Sequence, residues 1–182
     1  MIVRLKQLYA LVLLVGAISS VSFAARQTAV AGTPAPLLED SGAQAGELRK
    51  VKRVVDGDTI VVYPNEKVRL IGVDTPETVH PEKTVQCFGN DAKRFTRDAV
   101  EGKTVRLALD STNAKRGHKD RYGRTLAYAY LDDGRMLNRE LIRQGYAHAY
   151  TRFPFSHLVE FRQLERTARA NSLGLWASCP IE

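Results

Sequence analysis

The stretch LRKVKRVVDGDTIVVYPNEKVRLIGV, residues 48–73, carries three strand signals in close succession. Valine and isoleucine recur in residues 48–55, 59–63 and 67–73, and β-branched residues favour strands. Turn-forming residues separate these segments, Asp56-Gly57-Asp58 in the first gap and Pro64-Asn65-Glu66 in the second. The stretch therefore predicts three short strands joined by two tight turns.

Downstream of this stretch the apolar residues change to helical spacing. Ala92, Phe95 and Ala99 form one stripe, which predicts a helix over residues 90–100. The remaining predicted elements are strands at residues 104–109 and 126–131, a helix at residues 137–144, and a last helix with Ser156 as its N-cap. This order indicates an α+β fold, in which five short strands close into a small OB-type β-barrel and three α-helices pack against it.

The first 46 residues differ in composition from the rest of the chain. Residues 1–24 resemble a signal peptide, because Arg4 and Lys6 precede an apolar run and Ser22-Phe23-Ala24 resembles a cleavage site. The alternative is an uncleaved N-terminal membrane anchor. Residues 25–46 are rich in small residues and Pro, which predicts a disordered linker before one folded domain at residues 47–182. Both alternatives predict export, either by secretion or to the cell envelope.

Charge and cysteine content narrow the class of protein further. The chain has 27 Lys and Arg against 20 Asp and Glu, a formal net charge of +7, which favours nucleic acid or anionic membrane surfaces as partners. Its two cysteines, Cys87 and Cys179, fit one disulfide in an exported protein. The alternative is two unrelated thiols.

Two motifs at the ends of the first strands carry carboxylates. Asp56 and Asp58 flank Gly57 in a turn, and carboxylate oxygens are the ligands that calcium prefers. Arg69 lies on the third predicted strand, which ends in Asp74 and Glu77 on either side of Thr75-Pro76. The second motif offers a phosphate-binding guanidinium, a metal ligand and a candidate general base. Taken singly, each motif is also typical of an ordinary hairpin or polar loop.

A third motif, Asp120-Arg121-Tyr122-Gly123-Arg124, opens a later predicted strand. Basic residues interleaved with an aromatic residue suit phosphates and base stacking, although a charged loop entering a strand is a routine arrangement. Together the motifs resemble the staphylococcal nuclease, or thermonuclease, family. The resemblance extends from Glu47 to Trp176 and rests on DGDT (56–59), RLIGVDTPET (69–78), DRYGR (120–124), LAY (126–128), LNRELIRQGYA (137–147) and GLW (174–176).

The resemblance implies a calcium site and a set of catalytic residues. Asp58 and Asp74 match the carboxylate ligands of the ion, Thr75 matches a backbone-carbonyl ligand, and Asp56 matches an acidic neighbour. Glu77 matches the general base for the attacking water, and Arg69 and Arg124 match the two arginines that grip the scissile phosphate. The cysteine pair resembles that of exported bacterial relatives, which have a matching C-terminal cysteine.

The substrate-binding residues match the family only in part. Arg121 and Tyr122 fall on residues that contact another phosphate of the nucleotide, and Tyr150 matches the first of two nucleotide-binding tyrosines. The second tyrosine falls on Arg152 or Phe153. The loop of residues 111–119 is longer than in the family, and its basic side chains either add phosphate contacts or are simply solvated.

The sequence therefore predicts a calcium-dependent endonuclease that acts on DNA and RNA as a monomer, with no obligate protein partner. It predicts membrane association only if the N-terminal segment is not cleaved. The alternative is a non-catalytic nucleic-acid-binding module of the OB type. Degenerate relatives of that kind lose the arginines or the glutamate, whereas this chain has Arg69, Glu77 and Arg124 together.

Overall fold

The computed structural model describes residues 46–78 and 84–179. The predicted signal peptide (residues 1–24) lies outside the described residues, and so does the predicted linker (residues 25–46) except for its last residue. In the described part of the chain, every helix is too short or too polar to cross a bilayer.

The described strands form a closed barrel and a small separate sheet. The strands are β1 (Glu47–Asp56), β2 (Thr59–Val62), β3 (Glu66–Leu70), β4 (Val73–Asp74), β5 (Thr104–Ala108), β6 (Thr125–Tyr130) and β7 (His148–Ala149). The barrel order is β1-β2-β3-β6-β5, in which β3 and β6 are parallel and the other neighbouring strands are antiparallel. The predicted five-stranded OB-type barrel is confirmed. β4 and β7 pair apart from it as a two-stranded sheet.

Helices cover the barrel, as the helical spacing predicted. They are α1 (Gly89–Val100), α2 (Leu137–Arg143), α3 (Leu158–Ala170) and the short α4 (Leu175–Ser178), and a 3-10 helix spans Ser111–Arg116. The predicted N-cap at Ser156 is wrong. The Ser156 N–H and hydroxyl both donate to Asp110, at 2.7 and 3.1 Å, and α3 begins only at Leu158.

The third barrel strand ends earlier than the predicted strand of residues 67–73. β3 ends at Leu70 rather than at Val73, because Gly72 turns the chain with φ +71°. A side chain at residue 72 would also collide with the Phe155 ring, 2.6 Å from the position of its Cβ. The turn redirects the chain into β4 and brings Asp74 back towards the end of β3.

The hydrophobic core fills the barrel and continues beneath the helices. The largest fully buried side chains are Tyr130, Phe161, Ile60, Leu70, Met136, Leu137, Leu141 and Ile142. Burying an aliphatic or aromatic side chain of this size contributes roughly 1.5–3 kcal/mol. Asn138 on α2 is also fully buried, and its amide donates to Ile71 O (2.9 Å) and accepts from the Ala129 N–H (3.0 Å). This amide fixes α2 against β6 and against the turn that follows β3.

A disulfide joins Cys87 to Cys179, with the two Cα atoms 5.8 Å apart. It connects the segment immediately before α1 to the residue that follows α4. The disulfide predicted from the cysteine count is therefore confirmed, and the alternative of two unrelated thiols is excluded.

Candidate active site

The turn between β1 and β2 holds one carboxylate rigidly at the end of the barrel. Asp58 is buried, and its Oδ1 accepts from the Thr59 hydroxyl (2.9 Å) while its Oδ2 accepts from the Thr75 N–H (3.1 Å). From the other side, the buried Thr96 hydroxyl on α1 donates to Gly57 O (2.6 Å). These bonds orient the Asp58 carboxylate towards the neighbouring strand β3.

Arg69 on β3 brings two carboxylates together. Arg69 pairs with Thr59 across the β2–β3 ladder, and this register places the Arg69 side chain beside Asp58. Its Nη1 lies 2.8 Å from Asp58 Oδ2 and also donates to Val73 O (2.7 Å). Its Nη2 lies 3.2 Å from Asp74 Oδ1. One planar guanidinium therefore connects the β1–β2 turn to β4.

Asp74 and Thr75 form the outer side of this cluster. About half of the Asp74 side chain is exposed (52%), yet desolvation of its carboxyl is the largest influence on its pKa and raises it, against the attraction of Arg69. The Thr75 hydroxyl is buried and has no hydrogen-bond partner among the described residues. It packs where Gly57 has no side chain, since a Cβ there would lie 2.8 Å from Thr75 Oγ1.

Asp56 faces the segment that carries Glu77. Its Oδ1 accepts from the Gly57 N–H (2.9 Å) and the Thr78 hydroxyl (2.9 Å), and its Oδ2 accepts from the Thr78 N–H (3.2 Å). Burial, followed by a hydrogen bond with the Glu77 carboxyl, raises the pKa of Asp56 to about 6. Asp56 thus contacts Glu77 directly and fixes the start of the chain beyond it.

A side chain that the sequence analysis did not select holds the Glu77 backbone. The Glu77 N–H donates to Gln86 Oε1 (2.7 Å), and Glu77 O accepts from the Gln86 N–H (3.0 Å). Gln86 is adjacent to the disulfide-bonded Cys87. Nothing in the sequence distinguishes Gln86 from any other polar loop residue, because its role depends entirely on the tertiary fold.

Arg124 reaches the same cluster from the loop before β6. Its Nε donates to Asp120 Oδ2 (2.7 Å), its N–H donates to Asp120 Oδ1 (3.0 Å), and its Nη1 donates to Thr59 Oγ1 (3.4 Å). Burial opposes ionisation of Asp120, but the hydrogen bonds from Arg124 outweigh it and lower the pKa of that carboxyl. Thr59 therefore links Arg124 to Asp58, and Asp120 positions the guanidinium.

Two of the predicted substrate-binding residues, Tyr122 and Tyr150, are aromatic. Tyr122 is 66% exposed, with the guanidinium carbons of Arg121 and Arg124 at 4.7 and 5.3 Å from its ring centroid. Tyr150 follows β7, and its N–H donates to Gly72 O (2.9 Å). This bond places the Tyr150 backbone beside Gly72, two residues before Asp74 along the chain.

The structure thus brings the predicted residues to one end of the barrel. Arg69 contacts both Asp58 and Asp74, Arg124 is linked to Asp58 through Thr59, and the Glu77 carboxyl contacts Asp56 beside the β1–β2 turn. Within residues 46–78 and 84–179, His, Cys, Asp and Glu side chains nowhere form a metal-binding group of three or more. Chemically, the cluster combines two guanidiniums suited to a phosphate with carboxylates suited to a hard cation and to proton transfer.

Comparisons with known proteins agree with this geometry. The family model described as "Staphylococcal nuclease homologue" matches residues 67–178. The thermonuclease of Staphylococcus intermedius is 41% identical over 145 residues, which cover 78% of this chain and 83% of the relative. The thermonuclease of Staphylococcus hyicus is 40% identical over 133 residues (71% and 75%), and Endonuclease YncB of Bacillus subtilis (strain 168) is 38% identical over 130 residues (69% and 59%). This chain therefore belongs to the staphylococcal nuclease family.

Proposed function

We propose that this chain is a calcium-dependent endonuclease that hydrolyses phosphodiester bonds in DNA and RNA. Nuclease activity follows from its family and from relatives named thermonuclease and endonuclease. The observation that carries the assignment of residues is the pair of contacts from Arg69 to Asp58 and Asp74, at 2.8 and 3.2 Å. They gather a phosphate-binding group and two cation-binding groups at one point.

The donor atoms of this cluster fit a calcium ion. Asp58 and Asp74 offer carboxylate oxygens on either side of one guanidinium, and Thr75 offers its backbone carbonyl. The buried, unpartnered hydroxyl of Thr75 marks a polar position that the described residues leave unsatisfied. Calcium takes about six to eight oxygen ligands, so water and substrate must supply several, and we expect weak binding without nucleotide. When bound, calcium supplies a positive charge that polarises a phosphoryl oxygen.

Arg69 and Arg124 bind and orient the scissile phosphate. Each guanidinium can donate two parallel hydrogen bonds to phosphate oxygens, a geometry that lysine does not reproduce. Negative charge moves onto the equatorial and leaving oxygens as water attacks phosphorus, so fixed donors stabilise the transition state more than the ground state. Asp120 keeps the Arg124 guanidinium in place through the 2.7 Å bond to its Nε.

Glu77 acts as the general base that removes a proton from the attacking water. Its backbone is held on both sides by Gln86 and its carboxyl contacts Asp56, so its position is fixed relative to the β1–β2 turn. The residues that grip the substrate recognise phosphate rather than base edges, which supports action on both DNA and RNA. Together these positions favour catalysis over the alternative of a non-catalytic nucleic-acid-binding module.

A digestion assay tests this proposal. The full chain is incubated with single-stranded DNA, duplex DNA and RNA in calcium, in magnesium, and in excess EGTA. We expect cleavage of all three substrates in calcium and none in EGTA. Full activity in EGTA would overturn the calcium assignment, whereas binding of nucleic acid without cleavage under any condition would support the non-catalytic alternative.

A further inference from the structure

Helix α3 presents a row of arginines on a face that the barrel does not cover. Phe161 and Ala168 are fully buried on one side of this helix. Arg162, Arg166 and Arg169 are exposed, and their spacing of four and three residues puts them together on another side. With a rise of about 1.5 Å per residue, the three positions span roughly 10 Å along the helix axis. We call these three residues the arginine stripe.

The arginine stripe has no paired carboxylate in the described part of the chain. Glu165 attracts Arg169 from one helical turn away. The Glu165 carboxylate is already engaged, because its Oε1 accepts from the Ala149 N–H (3.0 Å) and lies 3.7 Å from His148 Nδ1. The stripe contacts neutral groups instead: Arg162 the Thr151 hydroxyl (3.4 Å), Arg166 the Gln163 amide oxygen (2.6 Å), and Arg169 the Trp176 ring (5.3 Å to its centroid). The guanidinium donors therefore remain available to an anion from solution.

The arginine stripe lies beside the active site rather than within it. Glu165 joins α3 to β7, and β7 pairs with β4 so that His148 lies opposite Asp74. Strand β7 and the packed side of α3 thus separate the stripe from the proposed calcium ligand Asp74. None of the three arginines is among the residues that the family resemblance assigns to catalysis or to substrate binding. A polymer that continues past the cleaved bond can reach the stripe, whereas the scissile phosphate itself is held elsewhere.

We propose that the arginine stripe binds the phosphate backbone of a nucleic acid polymer outside the cleaved bond, an inference that rests on the proposed nuclease function. One strand of duplex DNA carries a phosphate for about every 3.4 Å of helix axis, so a stripe of roughly 10 Å faces about three phosphates. Guanidiniums donate paired hydrogen bonds to phosphate oxygens, and such contacts carry no sequence preference. The stripe therefore increases the affinity for long substrates without selecting bases.

An anionic membrane is the competing occupant for an exposed basic helix. Helices that lie on a membrane insert a broad apolar face that adjoins their basic residues. The large apolar side chains of α3 pack against the core instead, except for Val159, which is 78% exposed. The composition of the exposed face therefore favours a polymer of phosphates over a lipid surface.

Binding titrations test the arginine stripe separately from catalysis. The full chain carrying Glu77→Gln is titrated in calcium against fluorescein-labelled oligodeoxythymidines of 24 and 4 nucleotides, and anisotropy gives each Kd. Adding Arg162→Gln and Arg166→Gln raises the Kd for the 24-mer about tenfold and the Kd for the 4-mer less than twofold. The slope of log Kd against log salt for the 24-mer falls by about 1.4, twice the value for one phosphate contact on a single strand.

A matched control removes the same charge from a different surface. Arg94→Gln with Arg135→Gln replaces two exposed arginines, each of which pairs with an aspartate. We expect this control to change the Kd for the 24-mer less than twofold and to leave the slope unchanged. Arg162→Lys with Arg166→Lys keeps both charges and restores most of the slope, which guards against a folding defect in the glutamine variant.

Several outcomes would overturn the arginine stripe. These are an unchanged slope in the Arg162→Gln, Arg166→Gln variant, an equal loss in the control, or an equal loss for the 4-mer. Sedimentation with vesicles of phosphatidylglycerol and phosphatidylcholine tests the competing occupant. If the glutamine variant lost vesicle binding but kept its affinity for the 24-mer, the stripe would be a membrane contact and the proposal would be wrong.

The proposed nuclease function fails in a different way. A wild-type chain that binds the 24-mer through the stripe but never cleaves it would count against that function and not against the stripe. A gel after each titration shows whether the probe is intact, and a digested probe moves the same titrations to EGTA.

Discussion

Arg69 uses both terminal nitrogens of its guanidinium on carboxylates, at 2.8 and 3.2 Å, and a planar fork is needed for that arrangement. We therefore expect Arg69→Lys to lower kcat/KM for an oligonucleotide by about 10²–10³, comparable to removal of one transition-state hydrogen-bond donor. Steady-state cleavage kinetics measure the change. Arg49→Lys is the matched control, because Arg49 is also paired with a glutamate (Glu66, 2.9 Å) but lies in β1 outside the site. Cleavage at the wild-type rate by Arg69→Lys would count against the bidentate role.

Glu77 is assigned a role that only an ionisable oxygen can perform. Its amide variant, Glu77→Gln, retains the size and hydrogen-bonding capacity of the side chain but cannot take a proton from water. We expect kcat to fall by roughly 10²–10⁴, with a smaller change in KM. Glu47→Gln provides a comparison at an exposed glutamate that pairs with Arg49 (3.3 Å). If Glu77→Gln kept its full turnover in a saturating-substrate assay, Glu77 would be removed from the mechanism.

Asp110 gives a prediction about pH and stability. Burial opposes its ionisation, but hydrogen bonds from Ser156, Tyr128 and Thr112 outweigh that effect and lower its pKa from 3.8 to about 2. A carboxyl whose pKa is lower in the folded state than in the unfolded state stabilises the fold at pH values above its unfolded-state pKa. This contribution is lost as the pH falls through the folded-state pKa. We expect Asp110→Asn to reduce the free energy of unfolding by about 2 kcal/mol at pH 7.

The same contribution should disappear in acid. Urea denaturation of the wild type and of Asp110→Asn is measured from pH 7 down to pH 2. The difference between their free energies of unfolding should be constant above about pH 4 and should shrink between about pH 4 and pH 2. A difference that does not depend on pH would mean that Asp110 stabilises the fold through shape alone and not through its charge.

At the level of elements, the β1–β2 turn requires the absence of a side chain at residue 57. A Cβ on Gly57 would lie 2.7 Å from Thr75 Cγ2 and 2.9 Å from Thr75 Cβ, and Thr75 is buried. We expect Gly57→Ala to destabilise the protein by about 1–3 kcal/mol, typical of overpacking, when measured by urea denaturation. A double-mutant cycle with Thr75→Ala locates the cause, because the second change removes Cγ2 and Oγ1, the two nearest atoms, and leaves only Cβ in close contact, so the loss should be smaller in that background. Equal losses in both backgrounds would place the strain elsewhere.

The comparison of predicted with observed elements shows where local patterns are sufficient. β-branched residues between turn residues identified the five barrel strands, and helical spacing identified the three main helices, because these elements bury their apolar residues in a shared core. The apolar residues of 67–73 did not show that β3 ends at Leu70, since Val73 after the turn is as buried as Val68 and Leu70 before it. The N-cap at Ser156 was wrong because Asp110, 46 residues away, binds that serine instead.

At the level of the whole molecule, the order of the motifs predicted which charged residues lie close together. The side chains that position these charged residues are visible only in the fold. Asp58, Arg69 and Asp74 carry recognisable chemistry in recognisable order. Other side chains have no such recognisable chemistry in the sequence, and their roles depend on contacts with elements distant in the chain. They are Thr59, Thr96 and Gln86. The loop of residues 111–119 is similar, because its sequence was compatible with either phosphate contacts or simple solvation, and only the fold shows Arg116 over Phe153.

The disulfide joins the C-terminal end of the described domain to the segment before α1, which lies beside the site. Cys87 lies between Gln86, which holds Glu77, and α1, which holds Gly57 through Thr96, while Cys179 follows α4. Because the bridge closes a loop with a sequence separation of 92 residues, it restricts the unfolded chain strongly. We expect the double variant Cys87→Ser, Cys179→Ser to lose about 2–5 kcal/mol of unfolding free energy.

The activity of this double variant shows whether the disulfide only stabilises the fold or also positions the catalytic residues. The hydrogen bonds between Glu77 and Gln86 and from the Thr96 hydroxyl to Gly57 O do not involve sulfur, so the folded variant retains them. We therefore expect kcat at 25 °C to stay within about threefold of the wild type, a change under 1 kcal/mol in activation free energy, while Tm falls by several degrees. A large drop in kcat at a temperature where circular dichroism shows the variant fully folded would mean that the bridge itself positions Glu77.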